Sequence, residues 1–91
     1  MEQAAPVIVE FYGIPRQRAG CAELAVEARS VSDMLAGVER QCPRLAGLLR
    51  PDGRLAAHYV LSINGRQFVN DPDTPLSPGD RVLLLSADVG G

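Results

Sequence analysis

SPGDRVLLLSADVGG, residues 77–91, contains three kinds of chain in fifteen positions. Ser77, Pro78, Gly79 and Asp80 have the composition of a tight turn. VLLLS, 82–86, is an unbroken apolar run, the pattern of a strand buried on both faces and so of a central one. Beyond it the chain turns polar and stops on Gly90 and Gly91. Terminal residues add little to a core, so folding gives no reason for the glycine pair. The quoted stretch thus predicts a rigid central strand that carries a short tail.

Working back from this strand, HYVLSINGRQFV reads as two short strands joined at Asn64 and Gly65, which tolerate the positive φ angles of a type I′ turn. DPDTPLSPGD is a long connection with three prolines. VIVEFYG at 7–13 opens with β-branched and aromatic residues and predicts a strand. Pro15, Arg16, Arg18 and Gly20 read as a loop. In AELAVEA, Ala22, Leu24, Val26 and Ala28 alternate with Glu23, Ala25 and Glu27, which predicts a strand with one wetter face and a hairpin with the first. Ser30 and Asp33 form an S-x-x-D capping box. Behind it Val31, Met34, Leu35 and Val38 recur at helical spacing, so Met34 or Leu35 should be fully buried. Pro43 ends this helix near Cys42, Leu45, Leu48 and Leu49 continue its apolar surface in a short turn, and Pro51, Asp52 and Gly53 make another turn. The predicted fold is α+β, a small mixed sheet with one main helix across one face. It has a domain at 1–86 and a tail at 87–91.

Composition removes several function classes. The chain of 91 residues gives one domain with little room for a deep cleft. A net charge of −2 argues against a non-specific grip on nucleic acid or an anionic membrane. The chain has no apolar run of roughly 20 residues, and its start lacks the pattern of a signal peptide. His58 is the only histidine, which rules out a two-histidine metal site. Cys21 and Cys42 fit no C-x-x-C pattern, and a reduced, cytoplasmic chain is the simplest expectation. Asp71, Asp73 and Asp80 have the wrong spacing for a calcium loop and read as turn caps. No enzyme site, cofactor or metal is expected. All nine basic residues are arginine, so no lysine side chain can accept an acyl group.

The tail does carry chemistry. Five residues reach roughly 17 Å when extended, and residues 87–89 are expected to be extended. Gly90 has no side chain to obstruct a narrow slot. The reactive group would be the α-carboxylate of Gly91. A carboxylate becomes an acyl donor only with a leaving group, which adenylation by ATP supplies, and the acyl-adenylate is then open to sulfide, a thiol or an amine.

The last third, SINGRQFVNDPDTPLSPGDRVLLLSADVGG, resembles the small ThiS/MoaD sulfur-carrier proteins, which have the ubiquitin-like β-grasp fold. The matching positions are Asn64; Asp73, Thr74, Leu76, Gly79 and Asp80 in a D-T-x-L-x-x-G-D pattern; the apolar strand; and Gly90-Gly91. The resemblance implies that an E1-like enzyme adenylates Gly91 with ATP and that a sulfur donor converts it to a thiocarboxylate. An acceptor enzyme, such as the large subunit of molybdopterin synthase, then takes the sulfur. The chain's length and long loop look most like the molybdopterin synthase small subunit or the carrier for cysteine synthesis. Three positions depart from the molybdopterin pattern. Ser86 and Ala87 stand where two prolines are common, Asp88 where an apolar residue is usual, and Arg81 where an acid commonly follows Gly-Asp.

A carrier this small must also be gripped through its surface. The partner-facing set expected on the sheet face opposite the helix is Tyr59, Leu61, Ile63, Leu83 and Leu85, with Arg81, Asp88 and Val89 tuning the fit. Three functions stay open: a sulfur carrier for molybdopterin, cysteine or thiamin synthesis; a modifier joined to other proteins through Gly91; and a structural subunit.

Overall fold

The computed structural model describes residues 5–45, 47, 59–69 and 71–86, apart from the side chain of Gln67. Leu48, Leu49, the turn at Pro51, Asp52 and Gly53, His58, and residues 87–91 with Asp88, Val89, Gly90 and Gly91 lie outside them.

Five strands form one sheet: β1 (Val7–Phe11), β2 (Glu23–Val26), β3 (Tyr59–Ile63), β4 (Gln67–Val69) and β5 (Arg81–Ser86), in the order β2-β1-β5-β3-β4. The apolar run near the C-terminus is central as expected. It lies parallel to β1, with Val9 opposite Val82, and antiparallel to β3, with Leu61 opposite Leu84. It is not buried on both faces, however. Val82 and Leu84 are fully buried, whereas Leu83 and Leu85 are half-buried on the opposite side. Among the described residues the main helix lies across one face of the sheet, and Leu83 and Leu85 on the other keep partial access to water.

That helix is α2 (Val31–Gln41). Its start is the predicted cap: Ser30 Oγ accepts from the Asp33 backbone N–H at 3.2 Å. The Asp33 carboxylate reaches back to accept from Arg29 N at 3.1 Å, one residue earlier than in the standard reciprocal box. Val31, Met34, Leu35 and Val38 all face the sheet, and both Met34 and Leu35 are 0 % exposed. Cys42 caps the far end, and Pro43 opens a 3-10 turn (Pro43–Leu45) that buries Leu45.

The stretch after β1 corrects the sequence reading. Residues expected to form a loop make a short helix, α1 (Ile14–Ala19). Pro15 sits in its first turn, where a missing N–H is harmless, and Gly20 closes it in the left-handed region at φ 76°. The two residues taken as loop signals are the delimiters of a helix. Six residues are too few to hold a helix alone, so α1 depends on burying Pro15 and on packing against β5 and the 3-10 turn.

Gly37 sets how closely α2 approaches β2. A Cβ built there would stand 2.5 Å from Val26 Cγ1, a buried, stiff, β-branched neighbour. Gly37→Ala gains up to about 1 kcal/mol of helix propensity but forces overpacking worth about 1–3 kcal/mol. The expected result is a net loss of stability in urea titration, largely reversed when Val26→Ala is added.

Candidate functional site

The C-terminal motif proves to be a frame around β5. At the β3–β4 turn, Asn64 and Gly65 take φ values of 53° and 68°, as a type I′ turn requires. The Asn64 side chain then staples the start of β5: its Oδ1 accepts from Arg81 N at 2.9 Å and its Nδ2 donates to Asp80 Oδ1 at 3.1 Å. Asp80 Oδ2 accepts from Ser77 N at 2.9 Å, and Asp71 Oδ1 from Asp73 N at 2.9 Å, so these two acids are turn caps. The backbone of Thr74 accepts from Val31 N, while Leu76 is buried and its N–H donates to Arg29 O. Gly79 takes φ 84°. The motif's described residues therefore clamp the start of α2 and aim β5.

Strand register defines the uncovered face. One row crosses the whole sheet as Glu23, Glu10, Leu83, Ser62 and Phe68, one residue from each strand. Val60 and Leu85 are paired in the next row, and Ile8 lies beside Arg81 on the other side. The apolar part of this face is thus Ile8, Val60, Leu83, Leu85 and Phe68, the last 75 % exposed. Leu83 and Leu85 are where the sequence reading put them. Tyr59, Leu61 and Ile63 are not: all three are buried in the core. The reading had the period of β3 right and its phase wrong: Val60 and Ser62 lie on the open face, Val60 half-buried and Ser62 buried among its neighbours.

Arg81 was expected to help tune the fit of a partner. Its guanidinium is instead taken up by two carboxylates: Nε donates to Glu10 Oε1 at 2.7 Å, Nη2 also pairs with Glu10, and Nη2 reaches Glu23 Oε2 at 3.3 Å. The hydrogen bond to Glu10, then its charge, holds Arg81 still more firmly protonated than usual. One cation against two carboxylates leaves this corner negative. Glu10 and Glu23, on strands far away in sequence, could be tied to Arg81 only through the register.

At the other end of β5 is the root of the tail. Ser86 is opposite Tyr59, whose hydroxyl accepts from Arg18 Nη1 at 3.0 Å. The same end of the molecule exposes Tyr12 and Ile14, at 56 % and 43 %. Tyr12 is tied to β5 by its N–H, which donates to Leu84 O at 3.0 Å. Among the described residues, no helix is long and apolar enough to cross a membrane.

No protein-family model and no curated protein matches the chain. Solved structures do. The small archaeal modifier protein 1 of Methanosarcina acetivorans is 24% identical, with a TM-score of 0.77 over 99% of this chain and 100% of its own. The BexX/CysO complex of Amycolatopsis orientalis contains a chain 20% identical, with a TM-score of 0.78 over 93% and 99%. A molybdopterin converting factor subunit 1 from Pyrococcus furiosus is 25% identical, with a TM-score of 0.71 over 91% and 98%. The fold of this chain is the ubiquitin-like β-grasp, and its likeness to solved structures of the ThiS/MoaD kind extends over nearly all of the chain.

Proposed function

We propose that this protein is a ubiquitin-like sulfur carrier and has no enzymatic activity of its own. An E1-like enzyme adenylates the Gly91 carboxylate with ATP, a sulfur donor converts it to a thiocarboxylate, and an acceptor enzyme removes the sulfur in the cytoplasm. One observation carries this reading: a central strand, pinned at its start by Asn64 and Asp80, ends at Ser86, five residues before Gly91. Molybdopterin synthesis is the pathway of choice, because a molybdopterin converting factor subunit is among the similar structures and is 25% identical.

A second reading, conjugation to other proteins through Gly91, is favoured by the likeness to a modifier protein. One experiment separates the two. The full chain is incubated with its matched E1-like enzyme, ATP and a sulfur source, and its intact mass is measured. Replacing one oxygen of the carboxylate by sulfur adds about 16 Da. Amide conjugates to other proteins without that gain would establish the modifier instead.

Partner enzymes would dock on the open face around Leu83. Leu83→Asp adds a charge beside Glu10 and removes an apolar contact, so affinity for the activating enzyme should fall about tenfold or more. Arg81→Glu should leave the fold intact and change the salt dependence of association. Titration calorimetry at two ionic strengths reads both effects, and an unchanged affinity for Leu83→Asp would move the docking surface elsewhere.

A further inference from the structure

Among the described residues, two of the three exposed large hydrophobic side chains are at the root of the tail: Tyr12 and Ile14. Both lie outside the core and outside the apolar face around Leu83. Ile14 opens α1, and Arg18 is four positions further on, so the two share a flank of that helix. Arg18 is exposed, yet its guanidinium is held: Nη1 donates to the Tyr59 hydroxyl at 3.0 Å, and Tyr59 lies opposite Ser86, where the strand ends and the tail begins. A phenol is a neutral acceptor and leaves the charge in place. Among the described residues no carboxylate pairs with Arg18. Helix α1 contains no acid, and Arg16 on its other flank and Arg44 on the adjoining 3-10 turn are exposed as well. This is the reverse of the Arg81 corner, where carboxylates outnumber the cation.

We propose that Tyr12, Ile14 and Arg18 form a second docking surface, for a protein segment that sets a carboxylate beside an apolar side chain at the mouth of the slot that takes the tail. The partner named here rests on the carrier reading. Five residues reach roughly 17 Å beyond Ser86, so an enzyme closed on Gly91 brings its slot mouth up against this end, whichever part of the open face it also grips. Tyr12 and Ile14 supply the dry centre of the contact and Arg18 its charged edge. The N–H groups that Tyr59 leaves unused suit a carboxylate in a two-pronged bond. The bond to Tyr59 also orders the Arg18 side chain beforehand, which lowers the entropy lost on docking.

The test measures ATP–pyrophosphate exchange by the matched E1-like enzyme, with the full chain as substrate, at two ionic strengths. Arg18→Gln and Tyr12→Ser should each raise KM about fivefold or more and leave kcat nearly unchanged. Arg18→Gln should also flatten the dependence of KM on salt, and Arg18→Lys, which keeps the charge, should recover part of the loss. Arg66→Gln removes the same charge from the β3–β4 turn, at the other end of the molecule, and should change KM by less than about twofold. If the native chain is activated and Arg18→Gln matches it in KM and salt dependence, this surface is wrong and the carrier reading stands. If the native chain is not activated at all, the carrier reading fails and the partner named here falls with it. A native chain that forms dimers lost in Arg18→Gln would also overturn the proposal, by giving the surface to a second copy.

Discussion

Deleting Gly91 is expected to reduce ATP–pyrophosphate exchange by its matched E1-like enzyme by at least about a hundredfold, because the acyl oxygen is withdrawn by one residue from the phosphate it must attack. A side chain at Gly90 should have a similar effect by obstructing the slot. Neither change is expected to shift the thermal midpoint, because terminal residues add little to a core. Cys21, Cys42 and His58 should be dispensable for activation. The carrier reading fails if the shortened chain is activated and thiolated as well as the full one.

Leu35→Ala is expected to have the largest effect on stability. Leu35 is 0 % exposed on α2, in a core that includes Val9, Leu61, Val82 and Leu84. Truncation there removes buried methyl groups and leaves a cavity, at about 2–5 kcal/mol. A domain of this size has about 5–15 kcal/mol in total, so a large share of its stability would go. Urea denaturation followed by circular dichroism measures it. A loss below about 1 kcal/mol would mean the helix face was misassigned.

Whether a feature was legible in the sequence depended on how local its cause is. The cap at Ser30, the stripe of Val31, Met34, Leu35 and Val38, and the Asn64-Gly65 turn depend on neighbours within a few positions. The structure reproduces each of them. Helix α1 was missed because a proline and a glycine five positions apart serve a loop and a short helix equally well; packing on β5 decides between them. The phase of β3 was missed for a related reason. Tyr59, Leu61 and Ile63 go inside only because Leu61 is opposite Leu84, a pairing between residues more than twenty positions apart. The Arg81–Glu10–Glu23 cluster joins three strands and had no local signature at all.

The parallel contact between β1 and β5 has a mechanical consequence. An enzyme that holds residues 87–91 while gripping the open face pulls on β5 along its own direction. β5 is bound on both flanks, over four register positions on β1 and five on β3. Such a load has to shear both ladders together, whereas an edge strand pulled in the same way has one ladder to hold it. In the proposed carrier a pull on residues 87–91 would therefore meet two ladders of hydrogen bonds, where a tail rooted on β2 or β4 would meet one.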